Sequence, residues 1–326
     1  MIFCWSSYFL EAFPRLGSDR IPAVSAPLFS LAHLTLIDCS VPELIYIAAR
    51  SGYDAVSPRL IPMHIPGEFA CPPEDRAGVR AMKTALDVTG IKVLDIELAR
   101  ITEECDPPAF EPAFELGAEI GAKHMIMSAW TQDRHDRSFL IDCYAETCEL
   151  AQGFGLTVDL EFPSFSRLRT LDEVLDIVRA ADQPNSGILV DTLYVHLSRV
   201  DLGELLHVPA ELLHFLHVSD ALPGIADTRE GMIQLARDAR LYPGEGCIDF
   251  AGVIERMPPV YYSIELPNQS RVRELGYEEH ARRCLQHARA VFGEAQSRRL
   301  PSLPVADLAG ASATPPPALN QEPLHA

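Results

Sequence analysis

No apolar run in the 326 residues reaches the roughly 18 needed for a helix to cross a bilayer, so no membrane partner is expected. Positive charge is scarce. Lys and Arg number 27 against 46 Asp and Glu, a net charge of −19 with neutral histidines. Binding to a phosphate backbone depends on clustered Lys and Arg, so no nucleic-acid partner is expected either. The eight cysteines stand singly, with no Cys-x-x-Cys pair. That argues against a thiolate zinc site, and it suits buried thiols in a reducing cytoplasm better than a disulfide framework. Met1 to Phe13 are apolar and aromatic but lack a basic start and a small-residue cleavage site, so no secretory signal is expected. A G-x-G-x-x-G turn, the usual phosphate cradle of an open doubly wound sheet, is also missing.

What is present is ample apolar sequence, 48% of the chain, arranged as strand-like runs that alternate with helical spacings. The strand candidates are Phe29–Ile37, Ala55–Ser57, Ile91–Leu98, His124–Ser128, Leu156–Phe162, Ile188–Val190, His214–Val218 and Val260–Leu266. Helical spacing follows at Val41–Ser51, Arg76–Thr89, Phe110–Ile120, Ser138–Phe154 and Leu171–Ala181. Short helical turns around Leu202–Leu213 come next, then helices at Phe250–Met257 and Tyr277–Phe292. Repeated βα units imply a parallel sheet with helices outside it. Eight such units over roughly 265 residues predict the α/β class and a (β/α)8 TIM barrel. The barrel should occupy residues 29–294 as a single domain, after an N-terminal extension, 1–28, broken by Pro14, Pro22 and Pro27. Residues 295–326, rich in Pro and Ala and including Pro315-Pro316-Pro317, are expected to form a disordered tail.

Four of these strands share a construction. Ile188-Leu189-Val190 runs into Asp191, and Val158-Asp159-Leu160 into Glu161. Phe215-Leu216 leads to His217, and Tyr262-Ser263-Ile264 to Glu265. An unpaired charge at the end of a buried strand is costly, so such residues need partners. In a TIM barrel the strand ends form the C-terminal face, where active sites lie. Strands five to eight are neighbours there, so their terminal groups can meet at one ion. Any one of the four, alone, reads as a capping or salt-bridged residue; four at matching positions point to a single divalent cation. Three carboxylates and one imidazole favour Mn2+, Mg2+ or Co2+ over a thiolate zinc centre.

At these residues the sequence resembles the sugar phosphate isomerase/epimerase family, the xylose isomerase-like metal barrels. The resemblance covers roughly Phe29 to Phe292. It rests on Leu160-Glu161, Val190-Asp191-Thr192, Leu216-His217-Val218-Ser219-Asp220, Pro243-Gly244-Glu245-Gly246 with Asp249, and Ser263-Ile264-Glu265. It implies that Glu161, Asp191, His217 and Glu265 are the metal ligands, and that the two glutamates also form the proton-transferring pair. That double role has a physical basis. A cation that holds a carbonyl and the adjacent hydroxyl of a sugar acidifies the carbon proton between them and stabilises the enediolate. Two carboxylates on opposite sides can then take a proton from one face and return it to the other.

One position departs from the pattern. Many epimerase relatives carry a substrate-contacting histidine three residues after the aspartate of the sixth strand; here that residue is Tyr194, with His196 nearby. Either His196 takes its place through a shift of the loop, or the pocket accepts a different substrate. Other substrate-binding candidates are His33, Arg59, Glu97 and Arg240, with Arg229 and Arg237 competing for the last role. For each there is a plainer alternative: a backbone-bonded core histidine for His33, a surface ion pair for Arg59, a salt bridge to Arg100 for Glu97. Trp130 is either an apolar wall or core. Glu245 could orient His217, and Asp249 has the character of an N-cap. His207, His214 and His287 show no ligand spacing and are expected to be structural.

The expected function is therefore a metal-dependent isomerase or epimerase acting on a small sugar or keto-polyol; a homo-oligomer is compatible with it. A dehydratase of the inosose or 3-dehydroshikimate type on the same barrel is the main alternative, but it needs a general acid that the sequence does not place. An apurinic-site endonuclease would need further His and Asp ligands, and no Asp-x-His pair follows the seventh strand. A non-catalytic sugar-binding paralogue would have no need of an intact ligand set.

Overall fold

The structure, a computed structural model, describes residues 27–298 apart from 225, 227 and 259. Nearly all of the N-terminal extension and of the expected tail lie outside the described residues. In chain order the elements are β1 (Phe29–Ala32), α1 (Val41–Ser51), β2 (Ala55–Ser57), α2 (Arg76–Thr89), β3 (Lys92–Val93), β4 (Asp95–Ile101), α3 (Glu111–Glu119), β5 (His124–Ala129) and α4 (Arg137–Gln152). They continue with β6 (Thr157–Glu161), α5 (Leu171–Ala181), β7 (Ser186–Asp191), α6 (Thr192–Leu197), β8 (Phe215–Val218), α7 (Arg229–Asp238), α8 (Phe250–Arg256), β9 (Tyr261–Ile264), α9 (Gln269–Leu275) and α10 (Tyr277–Arg298). Among the described residues, no helix is long and apolar enough to cross a membrane.

All the strand pairings are parallel, in the order β3-β2-β1-β9-β8-β7-β6-β5-β4. β3 and β4 are two pieces of one stave, interrupted at Leu94, whose N–H still reaches the Val56 carbonyl at 3.0 Å. A parallel bridge from Arg59 to Glu97 continues the same seam. Eight staves thus close into a TIM barrel, as expected.

Period-two alternation along each strand divides the core in two. Ile188, Val190, Leu216, Val218 and Ile264 face outward and join the large cluster beneath the helices. Ala55, Leu98, Ile126, Leu189 and Phe215 face inward and pack on one another in the lumen. The same inward parity carries Glu161, Asp191, His217 and Glu265, each an even number of residues from an inward neighbour. The lumen also has a polar layer. Ser57 Oγ lies 2.9 Å from Ser30 Oγ and 3.4 Å from Ser263 Oγ, and it bonds the buried Asp95 carboxylate.

The helices are terminated by local chemistry. α5 opens with a capping box between Thr170 and Glu173. α1 ends at Gly52, whose φ of 87° is left-handed and whose N–H closes onto the Ala48 carbonyl.

Several expectations are corrected. The first strand stops at Ala32, because His33–Leu36 tighten into a 3-10 turn that carries the chain over the mouth of the barrel. α6, α7 and α9 are additional helices. The closing helix runs on to Arg298, into the stretch expected to be tail. The cysteines are not all single thiols: Cys105 and Cys143 are joined as a disulfide that links the loop after β4 to α4. Cys39, Cys71, Cys148 and Cys284 are buried free thiols, and Cys247 is exposed.

Candidate metal centre

β6, β7, β8 and β9 deliver Glu161, Asp191, His217 and Glu265 to one point. One ligand atom from each lies within 4.8 Å of the others, and all four residues are buried. His217 Nδ1 is 3.4 Å from Glu265 Oε2 and 3.7 Å from Glu161 Oε1. Glu161 Oε1 and both nitrogens of His217 are buried without a well-aligned hydrogen-bond partner. Buried polar atoms are nearly always paired, so orphans on Glu161 Oε1 and His217 Nδ1, which face each other, mark the place of a ligand. The donor set, three carboxylates and one imidazole, fits a divalent cation.

A buried arginine underlies this set. Arg240 Nη1 donates to Asp191 Oδ2 at 2.8 Å and to the Glu265 carbonyl at 3.1 Å, while Nη2 lies 2.7 Å from Glu265 Oε2. Asp191 Oδ1 accepts the Leu193 N–H at 2.8 Å, so both of its oxygens are held in place. The carboxyls are driven apart in acidity. Burial, with Glu265 nearby, pushes Glu161 well above the usual carboxylate range. Burial acts the same way on Glu265, but His217 and Arg240 outweigh it and hold that carboxyl down at about 2. Burial disfavours the His217 cation, yet Glu265 and Glu161 raise its pKa to about 10.

Above the centre lies a small cavity of about 40 Å³. Glu161, His217 and Glu265 form part of its lining, with Arg59 and Glu97 beside them. Arg59 and Glu97 are an internal ion pair, Nη2 to Oε2 at 2.7 Å, rather than partners of the surface or of Arg100. Glu68 adds a second carboxylate to Arg59 at 3.3 Å and ties down the Met63 N–H at 3.0 Å. The opposite wall is aromatic. Trp130 and Phe165 have ring centroids 5.5 Å apart, Phe165 and Tyr194 5.9 Å. Arg237 completes this side, its guanidinium 5.6 Å from the Trp130 ring and without a carboxylate partner among the described residues.

Other sequence candidates lie elsewhere. His33 is fully buried; its Nε2 donates to the Cys39 carbonyl at 2.8 Å and its Nδ1 accepts the Arg59 N–H at 3.2 Å. It braces the backbone of Arg59 and does not line the cavity. Arg240 sits behind the ligands, fully buried and outside the cavity lining, where it braces carboxylates in place of clamping a substrate. His196 points away, Nε2 at 3.2 Å from the Gly224 carbonyl, since α6 turns it to the outer face while Tyr194 takes the cavity wall. Glu245 pairs with Arg271 at 2.8 Å instead of orienting His217, and Asp249 caps α8 through the Gly252 N–H. Phe165 and Glu68 carried no motif; only their position on the loops around the mouth gives them a role.

The chain matches the family described as xylose isomerase-like TIM barrel over residues 45–287. It belongs to that family. The crystal structure of the IOLI protein with a binding zinc atom superposes with a TM-score of 0.69 at 17% identity, covering 82% of this chain and 99% of that one. The 3-dehydroshikimate dehydratase of Pseudomonas putida is 26% identical over 147 residues, 44% of this chain but only 22% of that protein. The inosose isomerase of Bacillus licheniformis is 22% identical over 126 residues, 38% of this chain and 43% of that protein. The chain thus spans less than half the length of either of these two relatives in alignment.

Proposed function

We propose that this chain is a divalent-metal-dependent isomerase or epimerase that moves a proton on a small sugar or keto-polyol. The observation that carries the reading is the pair Glu161 and Glu265. Both carboxyls open into the same cavity on either side of His217, and their surroundings push their proton affinities in opposite directions. Two titratable groups separated in this way are suited to complementary acid and base roles. A bound Mn2+, Mg2+ or Co2+ would supply Lewis-acid polarisation of the substrate carbonyl. With the cation held by the four ligands, one of Glu161 and Glu265 would accept the proton beside the carbonyl and the other would return one to the opposite face. Arg59 and Glu97 offer hydrogen bonds to substrate hydroxyls, and the Trp130–Phe165 wall excludes water. Likeness to the inosose isomerase supports this reading.

One observation favours a second reading. Arg237 presents a cation to the cavity, which suits an acidic substrate and therefore a dehydratase of the 3-dehydroshikimate type. Turnover of a panel of ketoses, inososes and 3-dehydroshikimate in D2O decides between them. An isomerase places solvent deuterium beside the carbonyl of an isomeric product, whereas a dehydratase gives an unsaturated product one water lighter. An isomeric product without deuterium would exclude the two-glutamate route.

A further inference from the structure

The opposite end of the barrel holds a second convergence of ligand atoms. His124 at the start of β5, Asp159 on β6 and His214 just before β8 bring one ligand atom each within 4.8 Å of the others. We propose that these three residues form a second divalent-cation site, of the zinc type, at the base of the barrel.

Both imidazoles direct the same nitrogen at one carboxylate. His214 Nδ1 is 2.7 Å from Asp159 Oδ1, and His124 Nδ1 is 3.7 Å from Asp159 Oδ2. The two rings are stacked, centroids 5.0 Å apart and 17° from parallel, so both Nδ1 atoms face a shared point. Thr157 Oγ1 lies 2.7 Å from His124 Nδ1 and 2.7 Å from Asp159 Oδ2, fixing two of the three donors from one side.

Asp159 is fully buried, and no Lys or Arg pairs with it among the described residues. A buried carboxylate without a counter-charge is costly; a divalent ion supplies one, as does His214 when protonated, whose pKa the Asp159 carboxylate raises against the effect of burial. The intervening strand has been cleared to make room. Gly187 on β7 lies beside the cluster, and a Cβ there would fall against Asp159 Oδ1 and 2.6 Å from His214 Nδ1. Glycine weakens a strand interior, and its use there often marks a close approach.

Two imidazoles and one carboxylate, with no thiolate, match zinc in sites that keep an open fourth position. Both imidazoles reach solvent, the His124 and His214 side chains being 16% and 21% exposed. This site is separate from the one at the mouth: Asp159 and Glu161 are two residues apart on β6, about 6.6 Å along the strand. An ion bound there would tie β5, β6 and the entry to β8 together, three staves that form no single hydrogen-bonded ladder.

The test separates the two sites by using Asp191→Ala, which removes a ligand only at the mouth. Zinc is added to purified protein, excess is dialysed away, and bound zinc is counted. Asp191→Ala should retain one more zinc per chain than Asp191→Ala/His214→Gln, and zinc should raise the melting temperature of the first but not of the second. His124→Gln in the same background is the second variant. Equal zinc content with and without the histidine substitutions would overturn the site. X-ray absorption of the zinc held by Asp191→Ala needs no further substitution: two imidazole ligands are expected, whereas one, as at the mouth, or none would overturn it.

Discussion

Arg240 holds Asp191 by a charged hydrogen bond of 2.8 Å inside the barrel, with neither side chain exposed to solvent. The same guanidinium also pairs with Glu265, so one buried cation is shared by two of the four candidate ligands. Removing one partner of a buried pair costs about 3–5 kcal/mol, because the other charge is left uncompensated. Arg240→Met should lower stability by that order in a denaturant titration. Added divalent cation should recover part of the loss, since it would give the stranded carboxylates a new counter-charge. Wild-type stability in the Met variant would show that the pair is already neutral.

Glu161→Gln should leave the fold intact and reduce kcat by about 10²–10⁴-fold, the usual contribution of a positioned acid or base. KM should change much less, because the amide keeps the shape of the side chain. An unchanged kcat would remove Glu161 from the proton relay.

Glu97 is held by Arg59 with one oxygen, while Oε1 has no hydrogen-bond partner. A hydrogen bond from substrate to an ionised group contributes about 1.5–3 kcal/mol, so Glu97→Gln should lower kcat/KM by about 10–100-fold. Metal content should stay at the wild-type level. A kcat/KM equal to wild type would mean that Glu97 serves only its ion pair.

Two buried histidines give the fold an acid limit. His33 and His280 are each pressed to a pKa of about 4, chiefly by burial. Each accepts a hydrogen bond on Nδ1 from a fixed donor, the Arg59 N–H or the Tyr242 hydroxyl. The unfolded chain takes up protons near pH 6.5, before the folded one does. Stability from these groups is therefore intact above about 6.5 and lost as pH falls through the window down to about 4. Each histidine should contribute on the order of 3 kcal/mol to that loss. Urea midpoints measured from pH 7 to 4 should fall, and His280→Gln should flatten the curve. A midpoint independent of pH would contradict the buried neutral state.

Strand order and the four mouth residues were legible in the sequence because alternation decides which way a side chain faces. Leu189 must point into the lumen if Asp191 does, and the same parity links Phe215 to His217 and Ser263 to Glu265. α7 was not legible. It fully buries only Ala236, and Met232, Ile233 and Leu235 are half-buried against the core, so its apolar stripe is too short to stand out from the long loop around it, although it places Arg237 at the cavity and leads into Arg240. The roles of Arg240 and His196 could not be assigned either. Both depend on how the loops after β7 and β8 turn, and a loop has no period from which to infer direction. His214 resembled an isolated structural histidine because its partners, His124 and Asp159, are 90 and 55 residues away.

The Tyr194 ring has a consequence for how this pocket can change. On one side it packs against Phe165 in the cavity wall; on the other, the Arg240 guanidinium lies 5.6 Å from its centroid. The surface that a substrate would touch and the brace behind the candidate ligands therefore share a side chain. New specificity sought at Tyr194 would be inherited together with a disturbed Asp191 and Glu265. Met63 and Ile65 line the cavity from a loop with no such tie to Arg240, so variation there would reshape the pocket without disturbing Asp191 or Glu265.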